Sequence, residues 1–83
     1  MSDQGHEVPY RVVLELQAKK YPILRYFAYE HLSRQLQEVS APFAVLAVSM
    51  AARSPNAETS AGLRKLLEAK DCAVRAALEA GDE

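Results

Sequence analysis

The sequence lacks tryptophan altogether and holds one cysteine, Cys72, together with three glycines and two histidines. One cysteine excludes a disulfide scaffold and a cysteine-rich zinc site, and it suits a reducing compartment. The glycines stand alone at Gly5, Gly62 and Gly81, which leaves no glycine-rich phosphate loop. No set of His, Cys, Asp and Glu recurs at i, i+3 or i+4 with enough ligands for a metal, and no cofactor is expected. Neither sign of charge is in excess: ten Lys+Arg face eleven Asp+Glu, for a formal net charge of -1. A protein that coats duplex nucleic acid draws most of its affinity from a basic excess, so that class is disfavoured. The longest apolar run, Ala41 to Ala52, contains Pro42 and Ser49 and falls short of the roughly 20 residues needed to cross a membrane. Met1 to Glu7 is polar, without a cationic start and apolar stretch, so it does not read as a secretory signal. A soluble, cytoplasmic protein is expected.

What is present is an ordinary globular balance, with 49% hydrophobic and 25% charged residues in 83. That length makes one small domain. A chain this short buries a modest share of its surface, so help from oligomerisation is expected.

Residues 1–9 read as a flexible tail and 10–83 as a single helical domain. Within it, 10–30 form an N-terminal segment, and 33–53 and 56–80 form a helical hairpin. Tyr10 to Gln17 is open to two readings. Val12, Leu14 and Leu16 alternate as on a strand, while Val12, Val13 and Leu16 share one side of a helix. Pro9 suits a first helical turn, and no partner strand is evident elsewhere, so helix is preferred. Pro22 then holds Tyr21 extended. Ile23 to Glu30 is dense in aromatics, and Phe27 and Tyr29 share a face if the chain is extended there. These rings serve either as packing between the tail and the main helices or as a stacking platform for a planar ligand.

Ser33 is placed as the N-cap of a long helix. Leu32, Leu36, Val39, Phe43, Leu46 and Met50 form its apolar stripe, in steps of four and three. Pro42 predicts a kinked helix or two short helices in register, and an alternative break puts Ser40 at the cap of a second helix with Pro42 in its first turn. Arg53 to Thr59 is the clearest turn, with Asn56 or Ser54 capping the last helix. In that helix Leu63, Leu66, Leu67, Ala73, Val74, Ala77 and Leu78 keep helical spacing, and Gly81 ends it. The fold expected is therefore all-α: an antiparallel α-hairpin with an N-terminal helix and an extended aromatic segment. Two such narrow stripes cannot bury both faces alone, so assembly into a homo-oligomer is expected.

Chemistry-bearing residues are few. Cys72, in the middle of the last helix, reads as a buried or half-buried structural cysteine. Glu68 and Asp71 lie among Arg64, Lys65 and Lys70, the mixture of a solvated, salt-bridged helix face. Catalysis is not expected. The cations draw notice by place: Arg25 flanks the aromatic segment, Arg34 opens the first long helix, and Arg64 and Lys65 lie early in the second. A phosphate held between subunits would meet an Arg or Lys and a helix N-terminus there; the competing reading is ordinary surface charge.

Four pieces in order carry a resemblance: Phe27-Ala28-Tyr29, Val45-Leu46-Ala47, Ser54-Pro55-Asn56, and Leu63-Arg64-Lys65-Leu66-Leu67-Glu68-Ala69 followed by alanine-rich turns. Between Phe27 and Leu78 the chain resembles the phage anti-CBASS sponge proteins, which share their hairpin domain with the anti-Thoeris sponges. The stretch from Lys20 also resembles small proteins of actinobacterial phages. The resemblance implies a compact helical homo-oligomer, usually a hexamer, that does no chemistry. Such proteins sequester the cyclic di- and trinucleotide signals of bacterial anti-phage defence in the host cytoplasm during infection. It implies base stacking on Tyr29 with Phe27 beside it, and Tyr26 belongs to the same aromatic cluster. Ser40 stands where the family has a phosphate-contacting basic residue, and a hydroxyl offers a hydrogen bond without charge. Either Arg34 or Arg25 supplies the missing cation, or the ligand preference differs from the family's, or binding is lost. Arg64 and Lys65 are candidates for a second, trinucleotide-type pocket. Against the sponge stands a non-catalytic structural or protein-interaction hairpin, with membranes and duplex nucleic acid as partners of neither.

Overall fold

The computed structural model describes residues 10–81; the tail expected at 1–9 lies outside them. In chain order the elements are α1 (Tyr10–Gln17), a 3-10 helix (Pro22–Phe27), α2 (Arg34–Ala51) and α3 (Ala57–Glu79). The chain is all-helical, with no strand among the described residues. The helical reading of 10–17 is thus the one realised.

Local chemistry sets the ends of the long helices. The Ser33 side chain accepts from the Leu36 amide at 3.4 Å at the start of α2. Asn56 Oδ1 accepts from the Thr59 amide at 3.0 Å at the start of α3, and Thr59 Oγ1 donates to the Ser54 carbonyl at 2.7 Å. Each cap satisfies an N–H that the helix itself leaves open. Gly81, with φ of 77°, supplies the left-handed turn that ends α3. The connection at 52–56 reaches at most ~17 Å, whereas α3 has 23 residues and runs ~34 Å. Since α2 and α3 pack together, so short a turn excludes a parallel pair.

Two expectations are corrected here. The segment from Pro22 is a 3-10 helix through Phe27, and extended backbone begins only at Ala28 (φ −62°, ψ 141°). Three residues per turn set positions three apart above one another, so Tyr21, Leu24 and Phe27 all face the core, at 7%, 0% and 1% exposure. The second correction concerns the reading of two short helices: α2 is a single helix that contains Pro42. Proline has no N–H for the carbonyl four residues back. Here that carbonyl belongs to Glu38, and both residues are exposed, so water can take the lost bond. Ser40 is accordingly mid-helix and caps nothing.

The buried face of α2 is also not the expected stripe. Ser40, Ala44, Ala47 and Ala51 are its buried residues, one position beyond Val39, Phe43, Leu46 and Met50. Leu46 is 49% exposed, and Val39, Phe43 and Met50 are half-buried. The reason lies across the interface. Leu14 of α1 and Ala18 just after it, Tyr21, Leu24 and Phe27, and Leu63 of α3 form one cluster with Ala44, Ala47 and Ala51. Large side chains from three elements fill the space, and small ones on α2 let them approach. On α3 the expected stripe holds except at Leu78, which is 46% exposed: Leu63 and Ala77 are buried, and Leu66, Leu67, Ala73 and Val74 half-buried. Cys72, expected at least half-buried, is exposed.

Candidate functional site

The period of the 3-10 helix that turns Leu24 and Phe27 inward turns Arg25 and Tyr26 outward. Both are exposed, Tyr26 at 67%. They line an open cleft of about 380 Å³ together with His31, Leu32 and, from α3, Lys70, Asp71, Val74 and Arg75. On α3, Lys70 and Val74 lie one turn apart, as do Asp71 and Arg75, so the four make two adjacent rows on one face. The turn that carries His31 is fastened to α2. Gln37 Nε2 donates to the carbonyls of Glu30 at 3.2 Å and Leu32 at 2.8 Å.

Lys70 joins α3 to the 3-10 helix. Its Nζ donates to the Tyr26 carbonyl at 2.9 Å and lies 3.4 Å from Asp71 Oδ1. An ammonium has three protons, so one is left after these two contacts. The Lys70 side chain is 13% exposed, which weakens solvent screening at that proton. Arg75 Nη2 donates to Cys72 Sγ at 3.4 Å, a weak partner that leaves most of the guanidinium free. With Arg25, the described residues bring three cations and one carboxylate to the cleft, and that carboxylate is already paired with Lys70. Beside them stands the exposed Tyr26 ring. Cations next to an open aromatic face match an anionic group attached to a planar one.

Of the residues singled out from the sequence, Arg25 and Tyr26 come together in this cleft. Tyr29 is half-buried and packed against the core cluster. Phe27, at 1% exposure, is core and offers no ring face to a ligand. Ser40 is likewise 1% exposed, and its hydroxyl has no hydrogen-bond partner. Arg34 is exposed at the first residue of α2 and does not line the cleft. Arg64 and Lys65 are exposed on α3 outside it, and Lys65 is about 7.5 Å of helix rise from Lys70. The sequence reading missed His31, Lys70 and Arg75. The i, i+4 row from Lys70 to Val74, which continues the stripe of Leu63, Leu66 and Leu67, was the available signal.

Comparison with family models, with curated proteins and with solved structures finds no match for this chain.

Proposed function

We propose that this chain is a non-catalytic binding protein that sequesters cyclic di- and trinucleotide signals of bacterial anti-phage defence in the cytoplasm of the infected host. The observation that carries the reading is the cleft between the 3-10 helix and α3. There an exposed tyrosine ring lies beside Arg25, Lys70 and Arg75, one group for a base and three for phosphate. Its volume, about 380 Å³, sits at the small end of ligand sites. A second subunit would close it over a larger ligand, and the hexamer expected from the resemblance would supply one.

The test is a calorimetric titration of the purified chain with a panel of cyclic di- and trinucleotides, followed by recovery of the ligand after denaturation. Tight binding with intact ligand is expected. Tyr26→Ala should weaken it by roughly tenfold or more, because stacking contributes ~1–3 kcal/mol per base. Absence of heat with every member of the panel would sink the reading. Retained affinity in Tyr26→Ala would move the stacking ring elsewhere, with Tyr29 next to be replaced.

A second reading, a structural or protein-interaction hairpin, draws on α2. From Val39 to Ala51 that helix has no charged residue, yet Val45 and Leu46 are 44% and 49% exposed. An uncharged apolar face suits burial against a second copy or another protein.

A further inference from the structure

The outer side of α2 is apolar at its middle and charged at its two ends. With a helical advance of about 100° per residue, Glu38, Pro42, Val45, Leu46 and Ser49 fall within roughly 100° of arc, and all five are exposed. Ser40, Ala44, Ala47 and Ala51, the buried residues of the helix, lie on the opposite side. Arg53, also exposed, follows Ser49 by one turn just past the helix end, where its amide still donates to the Met50 carbonyl at 3.1 Å. Among the described residues neither Glu38 nor Arg53 has an ion-pair partner. Glu58 lines an open cleft with Arg53 but forms no ion pair with it.

These charges are placed symmetrically. Glu38 and Arg53 stand equally far in sequence from the Val45–Leu46 peptide bond, and so do Pro42 and Ser49. A twofold axis through that midpoint lays α2 antiparallel on its own copy and sets Glu38 against the partner's Arg53 at both ends. Val45 then meets the partner's Leu46, and Pro42 meets the partner's Ser49. Arg34, a turn before Glu38, falls beyond the end of the partner's α2 in this register. A twofold contact requires a surface complementary to itself in this way, with opposite charges fixing the register. A parallel pair would instead oppose Glu38 to the partner's Glu38 and Arg53 to the partner's Arg53, and it would align the two helix dipoles unfavourably. An unrelated protein on this face would give the two charges no reason to be placed evenly about its middle.

We propose that a second copy of this chain covers this face, with α2 antiparallel on the partner's α2, Val45 and Leu46 at the twofold axis, and Glu38 paired with the partner's Arg53. The contact does not depend on what the cleft on α3 binds, so it is tested on the full chain without ligand. Sedimentation equilibrium over a concentration series should show self-association. Glu38→Arg turns both attractions of the pair into repulsions and should raise the dissociation constant about tenfold, and Arg53→Glu should do the same. The double exchange Glu38→Arg/Arg53→Glu restores both pairs and should return the constant to within about threefold of the parent. Both residues are exposed, so each variant should keep the parent's helical spectrum. Orientation is read by mild oxidation in a Cys72→Ser background, since Cys72 is itself exposed. Val45→Cys, beside the axis, should cross-link to its own copy. Glu38→Cys should not, because the partner's Glu38 lies ~22 Å away along the helix. A chain that stays monomeric up to about 1 mM, the scale of very weak association, would overturn the proposal and leave the face to a different protein. So would association that the double exchange fails to restore, or equal cross-linking of Val45→Cys and Glu38→Cys, which marks a parallel pair.

Discussion

Leu46 and Ala47 are neighbours on α2, yet the larger and more apolar of the two faces out at 49% exposure while the alanine is fully enclosed. The same inversion runs along the helix, with Ser40, Ala44, Ala47 and Ala51 inside and Val45 and Leu46 outside. Side-chain size therefore does not decide which face of a helix is buried; what the other elements bring to the interface does. Leu14, Leu24, Phe27 and Leu63 already fill the space against α2, and a second layer of large residues would have nowhere to go.

The sharpest way to break this contrast is to place one glutamate on each face. Ala47→Glu buries an unpaired charge and should cost ~3–5 kcal/mol. That is most of what a domain of this size has, so thermal and denaturant melts should show it largely unfolded. Leu46→Glu should leave the melt of the isolated chain within about 0.5 kcal/mol of the parent. If a second copy covers that face, sedimentation should show Leu46→Glu dissociated. An assembly unchanged by Leu46→Glu would place the subunit contact elsewhere.

Smaller effects sharpen the same picture. Ser40→Ala removes a buried hydroxyl that has no partner and improves helix propensity, so denaturant unfolding should show a gain of ~1 kcal/mol. A loss instead would mean that the hydroxyl has a partner in solution. Gly62→Ala has the smallest expected effect. The new methyl would meet Met50 Cε at 2.9 Å, the far end of a flexible side chain that can turn aside. The gain from removing a mid-helix glycine, ~0.5–1 kcal/mol, should outweigh that adjustment by a few tenths in the same melt.

Signals that act over three or four residues were legible in the sequence. Ser33 and Asn56 as caps, a turn after Arg53 (read as reaching Thr59, though α3 begins at Ala57), the stop at Gly81 and the helical class all arise from chemistry contained in a single turn of chain. The 3-10 helix was not legible. Tyr26, Phe27 and Tyr29 fit an extended alternation as readily as a period of three, and only the burial of Tyr21, Leu24 and Phe27 distinguishes the two. The cleft on α3 was half legible. Arg25 and Tyr26 announced themselves beside the aromatic cluster, but Lys70 is 44 residues from Tyr26, and its charge reads locally as one more solvated lysine. Phe27 and Ser40 were misplaced for the same reason, since a ring or hydroxyl carries no local mark of which side of its helix will be covered.

The alanine face of α2 has an entropic consequence. A buried side chain gives up its rotamers on folding, but alanine has none to surrender. The three alanines at Ala44, Ala47 and Ala51 therefore join the core without ordering a single side-chain torsion. The rotamer loss at this contact falls on its partners, such as Leu14, Leu24 and Leu63, at ~0.5–1 kcal/mol for each leucine. Once α2 has formed, one wall of the interface has no side-chain torsions left to order, and the other settles onto it.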